Sequence, residues 1–580
     1  MALSNQQLAA IFSDIADRLE IQGENVFKVR AYRTASQNLL ALTRPAFDLW
    51  KEGSLEGIPG VGQAIREKID ELMRTDKLAF YERLKAEVPD GVAGMLQVPG
   101  LGPKRVKEIW DKLGVRNVDE LEAAARAGKL HDLSKLGEKT ERKIIAGIES
   151  LRRRATGRRR IGEVLPVARS LLVSLSKVQG VRHMEYAGSL RRGRETIGDL
   201  DLIAATEEPA ALMEAFRTQE LVAEVLLSGD TKTSVVLQNG MQVDLRAVEP
   251  GRWGTALQYF TGSQAHNIRV REVAQKKNLS LNEYAFTRTN DGAEILCDTE
   301  QKVYQTLGMA FILPELREDR GEIEAALGNK LPQLITVQDI QGDLQMHTTW
   351  SDGSASVIEM ARGAMAMGYQ YILITDHSQS LGIANGLTVE RVKRQRDEID
   401  QVNAQLEQEG AGFRVLQGIE VEVKTNGELD LPDKTLAALD IVQASVHTSL
   451  AQPREQITRR ALSALQNPNV DILGHPSGRL INEREGGDYD WEALFQAAAQ
   501  HDVVLEINCD PARLDLDDVH ARRAVELGCR LSISTDAHSP EGLSNITYGI
   551  TVARRAWVIP DEVINTWPLK KLLSWVKKRG

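Results

Sequence analysis

Two aspartates set two residues apart in an apolar stretch constrain this chain more than any other feature of its sequence. Asp199 and Asp201 interrupt the run Gly198–Ile203, which otherwise favours a buried strand. Because side chains alternate between the two faces of a strand, both carboxylates point to the same side. Two like charges on one face of an apolar strand repel each other unless a cation lies between them. The pattern therefore predicts an oxygen-rich site for Mg²⁺ or Mn²⁺.

A stretch suited to phosphate binding lies just before the two aspartates. Gly188 and Ser189 offer backbone N–H groups and a hydroxyl, and Arg191 or Arg192 offers a guanidinium. These are the donors that hold phosphate oxygens. The stretch therefore predicts a triphosphate site beside the metal site.

A third carboxylate, Asp244, follows in a predicted β-hairpin. Residues 232–248 contain two apolar runs around Asn239-Gly240, a dipeptide typical of two-residue turns. The hairpin could return Asp244 to the strand that carries the other two aspartates. Three carboxylates would hold two metal ions, one to lower the pKa of an attacking hydroxyl and one to hold the leaving pyrophosphate. An isolated Asp-x-Asp is usually only a turn that enters a strand, but its surroundings here favour the catalytic interpretation.

This combination resembles the nucleotidyltransferase palm of the family X DNA polymerases. The resemblance implies that Asp199, Asp201 and Asp244 bind metal, and that Ser189 and Arg192 hold the phosphates of the incoming nucleotide. A later Tyr-Phe-Thr-Gly-Ser run looks like the thumb of the same family. The thumb residues that this implies at the nucleotide and the DNA are Tyr259 and Phe260 beside the deoxyribose, Gly262, Asn267 at the minor-groove edge of the base, and Arg271 against the template strand.

A Pro-Gly-x-Gly sequence occurs twice near the N-terminus, at residues 59–62 and 99–102, each time before a helical pattern. Glycine lets the backbone approach a phosphate closely, and the following helix presents N–H groups. This repeat of the helix-hairpin-helix type would hold a DNA backbone without reading its sequence. The glycines that we expect at the DNA are Gly60, Gly62, Gly100 and Gly102.

The first 80 residues also carry a candidate for lyase chemistry. Their segments 31–33 and 67–71 resemble the small N-terminal domain of family X polymerases, which binds the 5′-phosphate of a gap. Lys68 matches the lysine that removes deoxyribose phosphate through a Schiff base in some members. Such a lysine needs a depressed pKa, from burial or from cationic neighbours. A surface lysine that contacts phosphate is an equally good interpretation.

In the C-terminal half, apolar strand patterns alternate with helical ones, which predicts an α/β barrel of about seven or eight units. Potential metal ligands follow several strands, where such barrels place their active sites. They are His347, Asp352, His377, Glu420, His447, His475, Asp536 and His538. Mixed imidazole and carboxylate ligands suit Zn²⁺, Mn²⁺ or Fe²⁺ better than Mg²⁺. The set predicts a multinuclear site for phosphoester hydrolysis.

These motifs look like the PHP phosphoesterase domain that follows the polymerase in many bacterial family X enzymes. The resemblance implies that Glu420 bridges two metal ions, with His447 and His475 on one of them. The remaining ligands it implies are His347 and Asp536 for the first ion, and Asp352, His377 and His538 for a third. Gln345 stands where the family usually has a histidine. Because an amide is a poor ligand, we expect weak binding of the first metal and slowed, Mn²⁺-dependent or lost hydrolysis.

A chain of 580 residues exceeds what one hydrophobic core supports. The predicted fold is multidomain: helical N-terminal and helix-hairpin-helix domains, an α+β nucleotidyltransferase palm with a thumb, and a C-terminal α/β barrel of the PHP type. The predicted parts are a lyase-like domain at 1–80, fingers at 81–155, the palm at 156–250, the thumb at 251–316, a linker at 317–335 and the PHP domain at 336–575.

The formal net charge of -10 does not exclude a nucleic-acid partner, because six arginines crowd residues 152–160. The three cysteines cannot build a disulfide framework, and neither an export signal nor a membrane-spanning run is evident. We therefore expect a cytoplasmic, nucleoid-associated bacterial protein, acting as a monomer. Its expected partners are dNTPs and gapped or primer–template DNA with a 5′-phosphate at the gap.

Together the motifs predict a DNA-directed DNA polymerase that fills short gaps in DNA repair with Mg²⁺ or Mn²⁺. The PHP domain would remove 3′ nucleotides or blocked 3′ ends with Mn²⁺ or Zn²⁺, as a 3′-5′ exonuclease. Two alternatives stay open. The protein could be a repair nuclease or a DNA-end-binding protein whose palm only holds DNA, or its PHP half could act on a small phosphate ester.

Overall fold

The computed structural model of the protein describes residues 3–98, 101–130, 141, 144–145, 147–148 and 157–579. The chain divides into two compact units. The first comprises residues 1–158 and 219–243, and the second comprises residues 159–218 and 244–580. In the described ranges, no helix combines the length and the apolar composition that crossing a membrane requires.

The first unit is mostly helical. Its first helix begins after Ser4, whose side chain accepts a hydrogen bond from the backbone of Gln7 and so satisfies the helix start. Its helices include Asn5–Gln22, Val26–Leu40, Ala46–Lys51, Gln63–Thr75, Ala79–Glu87, Asp90–Gly94, Pro103–Leu113 and Val118–Arg126. Two separate clusters of buried apolar side chains form its core, one around Phe12 and Ile69 and one around Val106 and Leu121. Strands Val222–Ser228 and Lys232–Leu237 pair in antiparallel fashion.

The second unit opens with the palm, which here means residues 159–218 and 244–248. Residues 244–248 are the part of strand Gln242–Val248 that belongs to this unit. Three strands, Val181–Tyr186, Leu200–Thr206 and Gln242–Val248, are neighbours in that order. Strands Arg159–Arg160 and Thr196–Ile197 form a short separate pair, and the helices are Ile161–Leu175, Gly188–Arg191 and Pro209–Arg217. A turn is present at Asn239-Gly240 as predicted, but its loop has three residues, 238–240, and not two. The Leu237 N–H donates to the Met241 carbonyl at 2.9 Å, and the Gly240 N–H donates to the Leu237 carbonyl at 2.8 Å.

The thumb, residues 251–327, is a small mixed domain. Its helices are Trp253–Thr261, Gln264–Lys276, Glu300–Thr306 and Glu322–Leu327, and its antiparallel strands are Leu279–Leu281, Phe286–Arg288 and Glu294–Ile295. Phe286 and Tyr304 are fully buried in its core. The predicted linker begins within this domain, since Arg317 and Glu322 are also fully buried. Arg317 and Glu322 thus pack inside the thumb, whereas Glu318 and Arg320 form ion pairs with barrel residues.

The barrel, residues 336–579, confirms the predicted α/β pattern. Its parallel strands lie in chain order: Gly342–Asp343, Tyr371–Ile374, Arg414–Glu422, Ile441–Ser445, Ile472–Leu473, Val504–Asn508 and Leu531–Ser534. Beyond the first and last strands, Met346 and Ala537 form a parallel bridge that nearly closes the ring. The surrounding helices include Val357–Ala366, Val389–Gln408, Asp433–Leu436, Arg454–Leu465, Trp491–His501, Asp518–Glu526, Ile546–Arg555 and Leu569–Arg579.

Candidate active sites

The three palm aspartates lie on two neighbouring strands. Asp199 directly precedes strand Leu200–Thr206, Asp201 lies within it, and Asp244 lies within the adjacent strand Gln242–Val248. All three residues are half-buried. The sheet therefore carries a set of carboxylate oxygens, which is the kind of donor that Mg²⁺ and Mn²⁺ prefer.

The phosphate-binding stretch packs directly against one of these carboxylates. Gly188 has a φ of +60°, and a Cβ added to it would lie 2.6 Å from Asp201 Oδ2. The Ala187 N–H donates to the Asp201 carbonyl at 2.8 Å, which fixes the loop to the strand. Both the backbone conformation and the close approach require glycine at this position. Half-buried Ser189 follows it, so the predicted phosphate donors begin beside the acidic strand.

The two arginines of this stretch have different partners. Arg191 donates to both carboxylate oxygens of Glu300, at 2.9 and 2.7 Å, and to the Thr261 hydroxyl. Arg192 donates to a single oxygen of Glu318 at 3.1 Å and to the Thr261 carbonyl at 2.9 Å. A bidentate pair is geometrically more constrained than a single hydrogen bond. Arg192 is therefore the easier of the two to turn toward a phosphate.

The predicted thumb residues form one cluster. Tyr259 and Phe260 pack edge to face with ring centroids 5.1 Å apart, and both are half-buried. The Asn267 amide donates to the Tyr259 carbonyl at 2.6 Å, and the backbone carbonyl of Asn267 accepts from Arg271 at 3.3 Å. A side chain on Gly262 would approach the Asn267 amide oxygen to 2.7 Å, so this glycine leaves room for Asn267.

In the barrel, Glu420 is the centre of a cluster at the carboxyl ends of the strands. One of its oxygens lies 2.8 Å from His475 Nε2 and 3.3 Å from His447 Nε2. The other lies 3.1 Å from His377 Nδ1 and 3.6 Å from His347 Nε2. Glu420 is 1% exposed, so these contacts lie in a nearly dry environment.

The other predicted ligands surround this centre. Asp536 lies 3.0 Å from His347, and Asp352 lies 3.5 Å from both His377 and His538. Two groups have ligand atoms all within 4.8 Å of one another: His347, Asp352, His377 and His538, and His377, Glu420 and His447. The structure thus brings the eight predicted barrel ligands into one cluster.

Buried imidazoles in this cluster fit metal ions. The Nδ1 atoms of His347, His377 and His475 are buried and make no hydrogen bond in the described part of the chain. Such groups are rare in native proteins unless a ligand satisfies them. Burial on its own would raise the pKa of Glu420, but His447 and His377 hold it well below its usual range. Imidazole nitrogens with carboxylate oxygens form a donor set for Mn²⁺ or Zn²⁺.

Models of known protein families match several parts of the chain. The DNA polymerase beta thumb matches residues 256–318, a helix-hairpin-helix domain residues 3–78, a SAM-like helix-hairpin-helix tandem residues 93–150, and the PHP domain residues 343–510. The DNA polymerase/3′-5′ exonuclease PolX of Bacillus subtilis (strain 168) is 39% identical over 579 residues, which cover 99% of this chain and 100% of that relative. The chain belongs to the bacterial PolX family.

Relatives that match a smaller share of the chain are named as probable phosphatases. A probable phosphatase of Thermoanaerobacter sp. (strain X514) is 29% identical over 249 residues, or 41% of this chain and 94% of the relative. A probable phosphatase of Photobacterium profundum is 26% identical over 256 residues, which again cover 41% of this chain and 94% of the relative. The predicted resemblances to family X polymerases and to PHP domains are confirmed.

The hairpin glycines of this chain occupy positions where a side chain has little space or where a helix begins. Gly60 has a φ of +71°, and a Cβ there would lie 2.6 Å from the Thr34 methyl group. Gly62 and Gly102 directly precede helices Gln63–Thr75 and Pro103–Leu113, without a side-chain cap. Gly100 lies outside the described residues.

Lys68 shares the face of an aromatic ring with another cation, since Lys28 Nζ lies 5.9 Å from the centre of the Phe80 ring. Lys68 Nζ donates to the Ala64 carbonyl at 3.1 Å and lies 5.0 Å from the centre of the Phe80 ring. The cations that could have depressed its pKa have acidic partners of their own: Lys28 with Glu24, Arg33 with Asp17 and Glu20, and Arg66 with Glu56. The lyase role of Lys68 stays a prediction.

The sequence reasoning missed the residue that orients His447. Glu422 Oε2 lies 2.7 Å from His447 Nδ1, and Arg460 donates to the other oxygen of Glu422 at 3.2 Å. A hydrogen bond to the second ring nitrogen fixes the tautomer and the direction of a metal-binding histidine. The signal was present, because Glu422 follows Glu420 by two residues and so shares its face of the strand.

Gln345, the departure from the family pattern, lies in a buried polar layer beside the cluster. In the amide orientation that satisfies both partners, it donates to Glu506 Oε2 at 3.0 Å and accepts from Gln443 at 2.9 Å. Burial and the nearby Asp536 carboxylate raise the pKa of Glu506 well above its usual value. Gln345 is thus hydrogen-bonded within the protein, and the expectation of a weakly held first metal stays a prediction.

Proposed function

We propose that this protein is a DNA-directed DNA polymerase that fills short gaps during DNA repair. The observation that carries the proposal is the packing of Gly188 against the Asp201 carboxylate, next to the strand that holds Asp244. It supports the proposal because a loop suited to phosphate binding lies beside carboxylates suited to metal binding. Support also comes from the Bacillus subtilis relative, which is named a DNA polymerase/3′-5′ exonuclease. The substrates would be dNTPs and gapped or primer–template DNA.

In this proposal, Asp199, Asp201 and Asp244 hold Mg²⁺ or Mn²⁺, and Ser189 and Arg192 hold the phosphates of the nucleotide. Bound divalent ions would lower the pKa of the primer hydroxyl and balance the charge of the leaving pyrophosphate. The protein's own part is positioning. The strands would fix the carboxylates, and the loop after Ala187 would present the Ser189 hydroxyl to the phosphates.

The thumb cluster would select the nucleotide. Tyr259, packed on Phe260, would lie beside the deoxyribose and exclude a 2′-hydroxyl by contact. Asn267 would leave the Tyr259 carbonyl to reach the minor-groove edge of the base, while Gly262 keeps space for that movement. Arg271 would contact the template strand.

We propose that the barrel hydrolyses phosphoesters at DNA 3′ ends, removing nucleotides or blocking groups. Its residues would hold Mn²⁺ or Zn²⁺ as predicted, with Glu420 between the histidines. Glu422 would keep His447 in one orientation. A second candidate, a small phosphate ester as substrate, is favoured by the probable phosphatases that match this chain over 94% of their length.

The first unit would hold the DNA. Gly60, Gly62, Gly100 and Gly102 would contact its backbone, and Lys68 would contact or process the 5′-phosphate side of the gap. Trapping with borohydride on abasic DNA distinguishes the two roles of Lys68, because only a Schiff base is captured. We place the protein as a monomer at the chromosome in the bacterial cytoplasm.

Incorporation of a single nucleotide into a labelled one-nucleotide gap tests the polymerase assignment. Asp201→Asn and Asp244→Asn keep the size of the side chain and remove its charge, so each should reduce incorporation by about 100-fold or more. Asp230→Asn, on an exposed carboxylate of the first unit, serves as the control. Unchanged incorporation by Asp201→Asn would remove the polymerase assignment.

A further inference from the structure

An arginine of the barrel contacts the nucleotide-binding loop of the palm. Arg555 is the last residue of helix Ile546–Arg555 and is 4% exposed. Its guanidinium donates to the Arg192 carbonyl at 2.7 Å, to Glu318 at 3.0 Å and to Asp518 at 2.9 Å. Arg555 thus holds the backbone of Arg192, to which the phosphate role is assigned, although 363 positions separate the two residues.

Glu318 is shared between the two arginines. The same carboxylate oxygen accepts from Arg192 at 3.1 Å and from Arg555 at 3.0 Å. Burial on its own would raise the pKa of Glu318, but Arg555 and Arg192, with Arg194 nearby, hold it at about 2. Glu318 is therefore a buried anion that depends on two guanidinium groups.

The surrounding contact between palm and barrel is closely fitted. Gly193 has a φ of +67°, and a Cβ added to it would lie 2.0 Å from the Thr551 methyl group. Only glycine lets the loop approach the helix this closely. Further ion pairs across the same contact are Arg479 with Glu195 at 2.7 Å and Arg160 with Glu483 at 2.9 Å.

We propose that Arg555 is a positioning residue for nucleotide addition, which the barrel supplies to the polymerase. The proposal rests on the proposed role of Arg192 at the triphosphate. When Arg192 turns to a phosphate, Glu318 loses one of its two partners. An unpaired buried carboxylate is strongly unfavourable, and Arg555 keeps Glu318 paired. Arg555 also holds the Arg192 carbonyl, so the loop keeps its place while the side chain moves.

Steady-state filling of a one-nucleotide gap by the full-length protein tests this role. We expect Arg555→Gln to raise the KM for the dNTP by about 5- to 20-fold, within the usual range for coupling between sites, and to leave kcat within about twofold. Arg555→Lys keeps the positive charge and should recover most of this loss. Glu318→Gln in the Arg555→Gln background should also recover it, because no buried carboxylate then competes for Arg192.

The matched control is Arg523→Ala, which removes an ion pair with Glu492 (2.7 and 2.8 Å) inside the barrel and should leave the KM unchanged. Thermal unfolding and binding to gapped DNA report whether each variant is folded. A folded Arg555→Gln protein with the wild-type KM would overturn the proposal. So would a loss that Arg555→Lys and Glu318→Gln both fail to recover, since that indicates a structural role only.

The polymerase assignment is tested separately in the same assay. If Asp201→Asn still incorporates nucleotides, the proposed function fails, whatever Arg555→Gln does. If Asp201→Asn is inactive and Arg555→Gln keeps the wild-type KM, only the role of Arg555 fails.

Discussion

At the residue scale, Glu318 and Glu420 are buried carboxylates with different cationic surroundings. Burial on its own would raise the pKa of each, and in each case neighbouring cations lower it. Guanidinium groups surround Glu318, whereas imidazoles surround Glu420. Imidazoles can share a metal ion with a carboxylate, and guanidinium groups can turn to phosphate oxygens. The partners of each carboxylate therefore match the ligand proposed for its site.

The orientation of His447 gives a prediction at this scale. Glu422→Gln removes the charge that holds His447 Nδ1 at 2.7 Å, so barrel hydrolysis should fall by about 10- to 100-fold. Nucleotide incorporation should not change. Glu428→Gln, which removes an exposed carboxylate that pairs with Lys424 at 3.1 Å, is the control. Wild-type shortening of a labelled strand by Glu422→Gln would contradict the role of Glu422.

The pH dependence of metal loading gives a second prediction. Burial would lower the pKa of His447, but Glu420 and Glu422 raise it to about 10. Partial burial would likewise lower the pKa of His538, but Asp352 and Asp536 raise it to about 9. In the metal-free protein, the protonated forms of His447 and His538 stabilise the fold. This stabilisation is complete when the pH is below the ordinary histidine pKa of about 6.5. It is lost as the pH rises through about 9 to 10. A metal ion needs neutral imidazoles, so loading releases protons and strengthens with pH.

Thermal unfolding of chelator-treated and Mn²⁺-loaded protein checks this. The rise in Tm on loading should grow between pH 6 and pH 9 at fixed free Mn²⁺. A rise that stays constant or shrinks with pH would show that the imidazoles are not protonated in the metal-free protein.

At the scale of elements, two glycines allow the loop that follows strand Val181–Tyr186 to pack closely on its neighbours. Gly188 lets the loop lie on the Asp201 carboxylate, and Gly193 lets the same loop lie on the barrel helix that contains Thr551. Both have positive φ values. The segment from Gly188 to Gly193 thus contacts the strand of Asp201 at its start and the barrel at its end.

Gly188→Ala should reveal this double constraint. An L-residue in the left-handed region is unfavourable by about 1–2 kcal/mol, and the added methyl would also displace the Asp201 carboxylate. We expect a modest loss of stability with a large loss of incorporation. Gly292→Ala is the matched control, because Gly292 has a φ of +71° and open space around it. Equal effects of the two substitutions on incorporation would contradict the proposed packing.

How far the sequence predicted these elements depends on the range of the contacts involved. The turn at Asn239-Gly240 and the clustering of the candidate barrel ligands at strand ends were predictable, because local turn chemistry and parallel strands determine them. The partners of Arg192 were not. Glu318 and Arg555 are separated from it by 126 and 363 positions. Their meeting depends on how the thumb and the barrel pack on the palm, which no local pattern encodes.

At the scale of the whole molecule, palm, thumb and barrel belong to the same compact unit, so the two proposed chemistries share one body. Two barrel arginines contact the palm: Arg555 donates to the Arg192 carbonyl, and Arg479 pairs with Glu195. Domains joined through buried ion pairs are more constrained than domains on a flexible linker. We therefore expect substitutions at this contact to alter nucleotide addition without altering the metal ligands of either site.

One measurement tests the central claim most directly: a gapped duplex, labelled at the primer 5′ end, is incubated with Mn²⁺ with and without dNTPs. Wild-type protein should extend the primer when dNTPs are present and shorten it when they are absent. Asp201→Asn should only shorten it, and His377→Ala should only extend it. Extension by Asp201→Asn, or shortening by His377→Ala at the wild-type rate, would contradict the assignment of two chemistries to these two sites.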